Sequence, residues 1–359
     1  MTDAPDSALA RALAADLTPW FEASHRDLSW RRTRDPYAIW VSEIMLQQTR
    51  VETVERYYTD FLERFPTVFA LADAQESAVL EAWSGLGYYR RARLLHKGAR
   101  HVRDEHAGAV PEGGKALRAI PGIGRYTSGA IASIAFDRPE PLVDGNVARV
   151  LSRVCGVEEP KQQDAGAAGH WALTEAILRR GQPRVLAQAL MELGATVCVP
   201  RNPRCETCPV RPHCNAHATG RTAVIPAPKK RVPQPIDRLC ALAVVSRNRL
   251  LLVKRPSTGL LASMWCLPLV TDEDGPTELG TVFLSPDALE DWKLLGEIRH
   301  VFTHRIWEVR AMRAATPRRP KLSPDVETAW VAPGELPEGG IPGITTKLLR
   351  TVGFSAEAD

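Results

Sequence analysis

Four of the chain's seven cysteines, Cys198, Cys205, Cys208 and Cys214, fall in one short stretch, separated by six, two and five residues. No other feature constrains the fold as strongly, because four thiolates crowded together repel one another unless a cation holds them. Thiolates are soft ligands, and four of them suit zinc or an iron–sulfur cluster. Structural zinc usually takes two close C-x-x-C pairs, whereas here only Cys205 and Cys208 are so spaced. Spacing alone leaves the metal open. Cys155, Cys240 and Cys266 lie in apolar stretches and read as buried thiols. The opening MTDAPDSALARALAADL carries acids early and lacks the apolar run of a secretory signal or a membrane span. The chain is therefore expected in the cytoplasm, without disulfides and without a membrane.

At 359 residues the chain can bury two cores, and its net charge of +4 permits a polyanionic partner without demanding one. Charge is concentrated locally. Arg90, Arg91, Arg93, Lys97, Arg100 and Arg103 follow one another without an intervening acid, which reads as either a solvated helix face or a phosphate-facing surface. In the cysteine loop, VPRNPR adds Arg201 and Arg204 as further phosphate candidates.

Residues 8 to about 220 read as helices joined by short turns. Tyr37 to Phe65 has apolar positions at helical spacing, as do Val147, Val150, Leu151 and Val154. Composition then shifts at TAVIPAPKKRVPQPIDR, where four prolines and the run Lys229, Lys230, Arg231 predict an extended linker. Beyond it, LCALAVV and LLLVKR read as strands joined by a hairpin at SRNR; HVFTHRIWEVRAM and ETAWVAP read as further strands, and TKLLRTV as a closing helix. The last third is thus a small α+β domain on a tether.

LRAIPGIGRYTSGAIASIAF predicts a helix, a tight hairpin and a second helix. Pro121 ends the first helix, while Gly122 and Gly124 allow positive φ and close approach of another backbone. The second helix then starts with free N–H groups that suit a phosphate oxygen, with Arg125 beside them.

Together, WVSEIMLQQTRVETV, GLGYYRRARLLH, IPGIGRYTSGAI and VDGNVARVLSR resemble the helix-hairpin-helix DNA glycosylases, and among them the MutY family of adenine glycosylases acting opposite 8-oxoguanine. The resemblance spans nearly the whole chain. It implies a mainly α fold: an all-helical helix-hairpin-helix glycosylase domain over 8–221, a Pro-rich linker over 222–236 and a C-terminal α+β MutT-like (Nudix) lesion-recognition domain over 237–355. It also implies that the four cysteines hold a [4Fe–4S] cluster. The partner would be double-stranded DNA containing A·8-oxoguanine or A·G mispairs, met by a monomer.

The implied reaction needs two carboxyl groups of different pKa, one protonated for the departing base and one ionised beside the developing sugar cation. Glu43 lies among Trp40, Val41, Ile44, Met45 and Leu46, an apolar wall that would raise its pKa and let it donate to adenine N7. Asp144, 20 residues after Gly124, precedes Gly145, Asn146 and a helical run, so it lies near a helix N-terminus that favours the carboxylate. Without the resemblance, a glutamate in an amphipathic helix reads as solvent-facing and an aspartate before Gly-Asn as a helix cap.

Tyr126 stands where the related endonuclease III enzymes carry a lysine nucleophile. A phenol forms no imine, so base release without efficient strand cleavage is expected, with Tyr126 and Asn146 ordering the site around Asp144. By the same resemblance Gln48 and Tyr88 are wedges that fill the gap left by a flipped base, and Thr49, Leu86 and Gly87 lie beside the opposite base. Trp30, Arg31, Leu46 and Gln188 line the adenine pocket. In the C-terminal domain GLLASMWCLPLV carries the Nudix likeness. The following TDEDGPTELGTVFLSPDALEDW lacks the clustered glutamates of a nucleotide hydrolase, which implies a binder. Where the family's lesion-reading loop has Phe-Ser-His, this chain has Phe302, Thr303 and His304. The competing readings are a lyase acting on damaged pyrimidines, which Tyr126 and the C-terminal domain oppose, and a non-catalytic DNA-binding protein, which the pair Glu43 and Asp144 opposes.

Overall fold

The computed structural model describes residues 5–158, 165–227, 233–271 and 291–354. The run Lys229 to Arg231 and most of the segment read for missing glutamates lie outside these residues. Helices follow in the order α1 (Pro5–Ser24), α2 (Pro36–Leu46), α3 (Val51–Arg64), α4 (Val68–Asp73), α5 (Glu76–Ala82), α6 (Arg90–His106), α7 (Gly114–Ala119), α8 (Arg125–Phe136), α9 (Gly145–Cys155), α10 (Ala165–Leu178), α11 (Pro183–Glu192) and α12 (Asn215–Ala218). Among the described residues seven strands and α13 (Gly343–Thr351) follow. Two compact units result, residues 1–73 with 90–230 and residues 74–89 with 231–359. Among the described residues no helix is long and apolar enough to cross a membrane.

The described residues of the first unit form helices joined by turns, without strands. Its core gathers Leu13 and Leu17 of α1, Ile39 of α2, Ile177 of α10 and Leu186 and Leu190 of α11 around Val147, Val150, Leu151 and Val154 of α9. The 3.6-residue period of α9 therefore marks its buried face, as its spacing predicts. Cys155 is an exception to the expected burial: the last residue of α9, it turns away from that face and is exposed, whereas Cys240 and Cys266 are buried. In α2, Tyr37 through Met45 are all buried, so this helix runs through the unit with core on every side. Helix α9 is followed by Gly156 in the left-handed conformation that favours glycine at a helix end.

The basic helix α6 is not a uniform phosphate surface. Arg91 is buried, and its Nη1 donates to the carbonyls of Ile44 and Met45 at 2.8 Å and of Gln47 at 2.5 Å. It caps the orphan carbonyls at the end of α2. Arg103 pairs with Asp73 and Asp104, and Arg100 donates to the carbonyl of Ala72.

The second unit is a mixed sheet of β1 (Ile236–Ser246), β2 (Arg249–Lys254), β3 (Trp265–Cys266), β4 (Leu269–Thr271), β5 (Lys293–Val301), β6 (Ile306–Ala315) and β7 (Thr328–Val331). Its order is β3-β2-β1-β6-β5, with β4 on β1 and β7 on β2. Strands β1 and β6 run parallel and the other pairs antiparallel. The second half of β1 is buried on both faces, which explains its unbroken apolar sequence. Ile344, Leu348 and Leu349 of α13 close one face. The SRNR hairpin is a two-residue turn, Arg247 and Asn248 both having positive φ, the geometry that matches strand twist. HVFTHRIWEVRAM is not one strand. It breaks at Phe302–Arg305, where the Phe302 amide donates to the Arg305 carbonyl at 2.9 Å and reverses the chain between β5 and β6.

Candidate active site

A cavity of about 550 Å³ opens inside the helical unit, and Glu43, Tyr126, Asp144 and Asn146 all line it. So do Trp30, Arg31, Leu46, Gln48, Thr49 and Gln188. Residues far apart in sequence converge because α2 delivers Glu43, the first turn of α8 delivers Tyr126, and the start of α9 delivers Asp144 and Asn146.

Glu43 is buried at 3% exposure, against the solvent-facing reading of an isolated glutamate in a helix. Burial pushes its carboxyl up to about 7; the Tyr126 hydrogen bond pulls the other way, while nearby Asp144 adds to the rise. The Tyr126 hydroxyl donates to Glu43 Oε2 at 2.9 Å. Burial and the two neighbouring carboxyls hold that phenol well above its ordinary range, so it stays a neutral donor. Tyr126 thus joins the site through its hydrogen bond to Glu43.

Asp144 caps α9, its Oδ1 accepting from the Val147 amide at 2.7 Å. Its Oδ2 accepts from Asn146 Nδ2 at 3.1 Å. Being a helix cap and belonging to the site are here the same arrangement. The helix end does not leave this carboxyl below its ordinary range: burial raises it, opposed by the N–H groups of Val147 and Asn146 and by Arg149.

Several residues that sequence reasoning missed hold this arrangement. Glu192, 1% exposed, lines the same cavity and takes Arg26 through both oxygens at 2.8 Å and Arg31 at 2.7 Å. These guanidiniums drive its carboxyl down to about 2 against the opposing push of burial. Its only sequence signal is the one Glu43 shares, an acid inside an apolar helical run. Arg149 bridges Asn146 Oδ1 at 2.9 Å and the Gly194 carbonyl at 2.7 Å. Gly194 lies in a π-helical turn, Leu193–Val197, and a Cβ there would come within 2.7 Å of Asn146 Cβ. Only glycine allows that approach.

Gly122 has positive φ, and a Cβ added there would meet Leu94 at 2.8 Å, so the hairpin needs this glycine. Gly124 differs from expectation: its φ is −86°, it is the N-cap of α8, and the space its Cβ would take is open. Arg125 follows at the helix start, its guanidinium 3.9 Å from the Trp171 ring centroid. Gln48 and Tyr88 both have positive φ without being glycine, a strained conformation that collects at functional positions. Thr49 Oγ1 accepts from Arg91 Nη2 at 3.0 Å, so the buried arginine also holds this loop. In the second unit Tyr88 is 48% exposed and Leu86 5%. Trp83 Nε1 donates to the Gly87 carbonyl, and Thr303 Oγ1 donates to the Tyr88 hydroxyl at 3.1 Å. Thr303 and His304 are exposed at the β5–β6 turn, while Phe302 packs between His300 and Trp307.

The four cysteines surround one small cavity with Arg153. Arg153 is buried, and its Nη1 donates to Cys198 Sγ at 3.3 Å and to the Val199 carbonyl at 2.8 Å. Burial raises Cys205, Cys208 and Cys214, with Cys208 reaching about 11, and the thiols raise one another further. Thiols are soft donors of the kind that zinc or an iron–sulfur cluster takes. Among the described residues no group of three or more His, Cys, Asp or Glu is arranged to hold a metal ion. Arg201 and Arg204 are exposed on the loop between Cys198 and Cys205.

A family profile described as HhH-GPD superfamily base excision DNA repair protein matches residues 41–171, and a NUDIX domain profile matches 240–351. The adenine DNA glycosylase of Rattus norvegicus is 37% identical over 360 residues, covering 83% of this chain and 69% of that relative. The adenine DNA glycosylase of Mus musculus is 33% identical over 406 residues, covering 96% of this chain and 78% of that relative. Among solved structures, a thermostable thymine-DNA glycosylase superposes with a TM-score of 0.54 at 28% identity, covering 59% of this chain and 98% of that one.

Proposed function

Since the chain belongs to the adenine DNA glycosylases of the HhH-GPD superfamily, enzymes of base excision repair, we propose that it hydrolyses the N-glycosidic bond of adenine mispaired with 8-oxoguanine or guanine, without cutting the strand. One observation carries this reading: a glutamic acid with pKa near 7 and a helix-capping aspartate line the same cavity. Because Glu43 Oε2 accepts from Tyr126, the transferable proton sits on Oε1. It passes to adenine N7 as the C1′–N9 electron pair leaves with the base, general-acid help worth about 10²- to 10⁴-fold. Asp144, ionised and fastened by Val147 and Asn146, stabilises the cationic sugar until water adds. Trp30, Arg31, Leu46 and Gln188 enclose the flipped base. Tyr126 cannot form the imine that strand cleavage requires.

Around this centre, residues 8–221 act as the glycosylase domain and 237–355 as the lesion-reading domain, joined by 222–236. Gly122, Gly124 and Arg125 take DNA phosphates. Gln48 and Tyr88 fill the gap left by the flipped base, Thr49, Leu86 and Gly87 adjoin the opposite base, and Phe302, Thr303 and His304 read it. Cys198, Cys205, Cys208 and Cys214 would hold a [4Fe–4S] cluster, which would tie the four thiolates together and brace the loop that offers Arg201 and Arg204 to phosphate. The enzyme acts as a monomer on duplex DNA.

The test is a single-turnover assay on an A·8-oxoguanine duplex with iron analysis of the same preparation. Free adenine and an intact abasic strand are expected, with iron in the protein. Strand scission before alkali, or release of an oxidised pyrimidine instead, would favour the lyase reading. Zinc without iron would remove the cluster.

A further inference from the structure

The residues that lead into β1 lie along the turn between β5 and β6. The Ile306 amide donates to the Pro235 carbonyl at 2.9 Å, and parallel pairing of β1 with β6 starts at Ile236 and Ile306. Asp237 accepts from Arg305 Nη1 at 2.9 Å and from Trp307 Nε1 at 2.8 Å. Pro235 has no N–H, so the backbone ladder has no donor there. Gln234 supplies donors from its side chain instead: Nε2 donates to the Phe302 carbonyl at 2.9 Å and to the Thr303 carbonyl at 2.7 Å. An amide NH₂ has two hydrogens, and here both go to consecutive carbonyls of one turn. Two adjacent peptide planes must face Gln234 to accept them, which leaves the Thr303 and His304 side chains exposed on the turn.

We propose that Gln234 is a positioning residue that sets the Phe302–His304 turn in the conformation that reads the base opposite adenine. The inference rests on the lesion-reading role proposed for that turn. A turn ordered before DNA arrives spares the complex that ordering entropy, so the gain falls on the partner whose recognition needs the turn. Gln234 therefore raises the preference for A·8-oxoguanine over A·G and leaves excision from A·G alone.

Gln234→Glu is the decisive variant, because it keeps the shape and replaces the donors with acceptors that repel the two carbonyls. Single-turnover excision and duplex affinity are measured on A·8-oxoguanine and A·G with the full chain. Loss of two neutral hydrogen bonds predicts that the 8-oxoguanine preference falls about tenfold, with the A·G rate unchanged. Gln234→Lys, whose ammonium can serve both carbonyls, restores the ratio; any gain from its charge applies to both duplexes and cancels. An undiminished preference in Gln234→Glu overturns the proposal. His304→Ala separates the two levels. If it collapses the preference while Gln234→Glu does not, the turn reads the lesion and Gln234 does not set it. If His304→Ala keeps the preference, the reading of the turn falls and the inference with it.

Discussion

Two walls of one cavity each present a buried glutamate, and the two behave oppositely. Glu43 on α2 and Glu192 on α11 are 3% and 1% exposed, and both sit in apolar helical runs. Burial pushes both carboxyls upward. Glu43 meets a neutral phenol and a neighbouring carboxyl and rises to about 7, whereas Glu192 meets Arg26 and Arg31 and falls to about 2. Burial alone thus does not decide protonation; the charge of the partner does. One wall holds a carboxyl that is partly protonated at neutral pH. The other keeps a fixed anion that holds Arg31 at the cavity.

The comparison fails first if the Glu43 wall is not chemical. Glu43→Gln and Asp144→Asn are each expected to lower single-turnover excision about 10²- to 10⁴-fold with duplex affinity largely retained. Near-normal rates in either variant would dissolve the acid and stabiliser roles. Glu192→Gln should damage folding instead, because it leaves two guanidiniums without their anion. Arg26 is 36% exposed on its side chain, so water screens part of that loss. A destabilisation of about 2–4 kcal/mol in urea titration is expected, and a stability within error of wild type would show that the ion group does not brace the wall.

The pH dependence of stability sharpens the same contrast. Glu43 has a folded pKa above its unfolded value, so as pH rises from about 4.5 to about 7 the unfolded chain sheds a proton that the folded chain retains. Stability therefore falls across that window. Glu192, depressed to about 2, contributes stability above about 4.5 that is lost as pH falls towards 2. Glu43→Gln should consequently gain about 3 kcal/mol relative to wild type at pH 8 and little at pH 4. Equal effects at both pH values would contradict the raised carboxyl. Finally, the excision rate should decline as pH passes about 7, where Glu43 loses its proton. Tyr126→Phe removes the hydrogen bond that lowers this carboxyl, so the decline should move to higher pH by up to about one unit. A shift to lower pH would mean that the phenol favours the acid form.

Much of this was legible before the fold. The period of Val147, Val150, Leu151 and Val154 marks the core face of α9, and SRNR marks a hairpin, because both patterns follow from local geometry. The four cysteines announce a shared site for the same reason that they repel. Other features follow from distant partners and were not legible. Arg91 stands in a basic run like its neighbours, yet it alone turns inward to cap α2, since only the packing of α6 brings it beside those carbonyls. The run around Phe302 reads as continuous β, but a turn bond splits it and carries the lesion-reading candidates to a tip. Glu43 and Glu192 present the same local pattern, and nothing within a few residues distinguishes them.

By itself, then, the chain's order of residues determined which segments are mainly helix and which mainly strand, and which side chains can carry protons, phosphates or a metal. Those properties depend on neighbours within a turn or two. Which glutamate is an acid and which an anion was decided only by tertiary structure. Their charge states depend on groups brought from other helices to one cavity, where each added or missing cation shifts a carboxyl by whole pKa units.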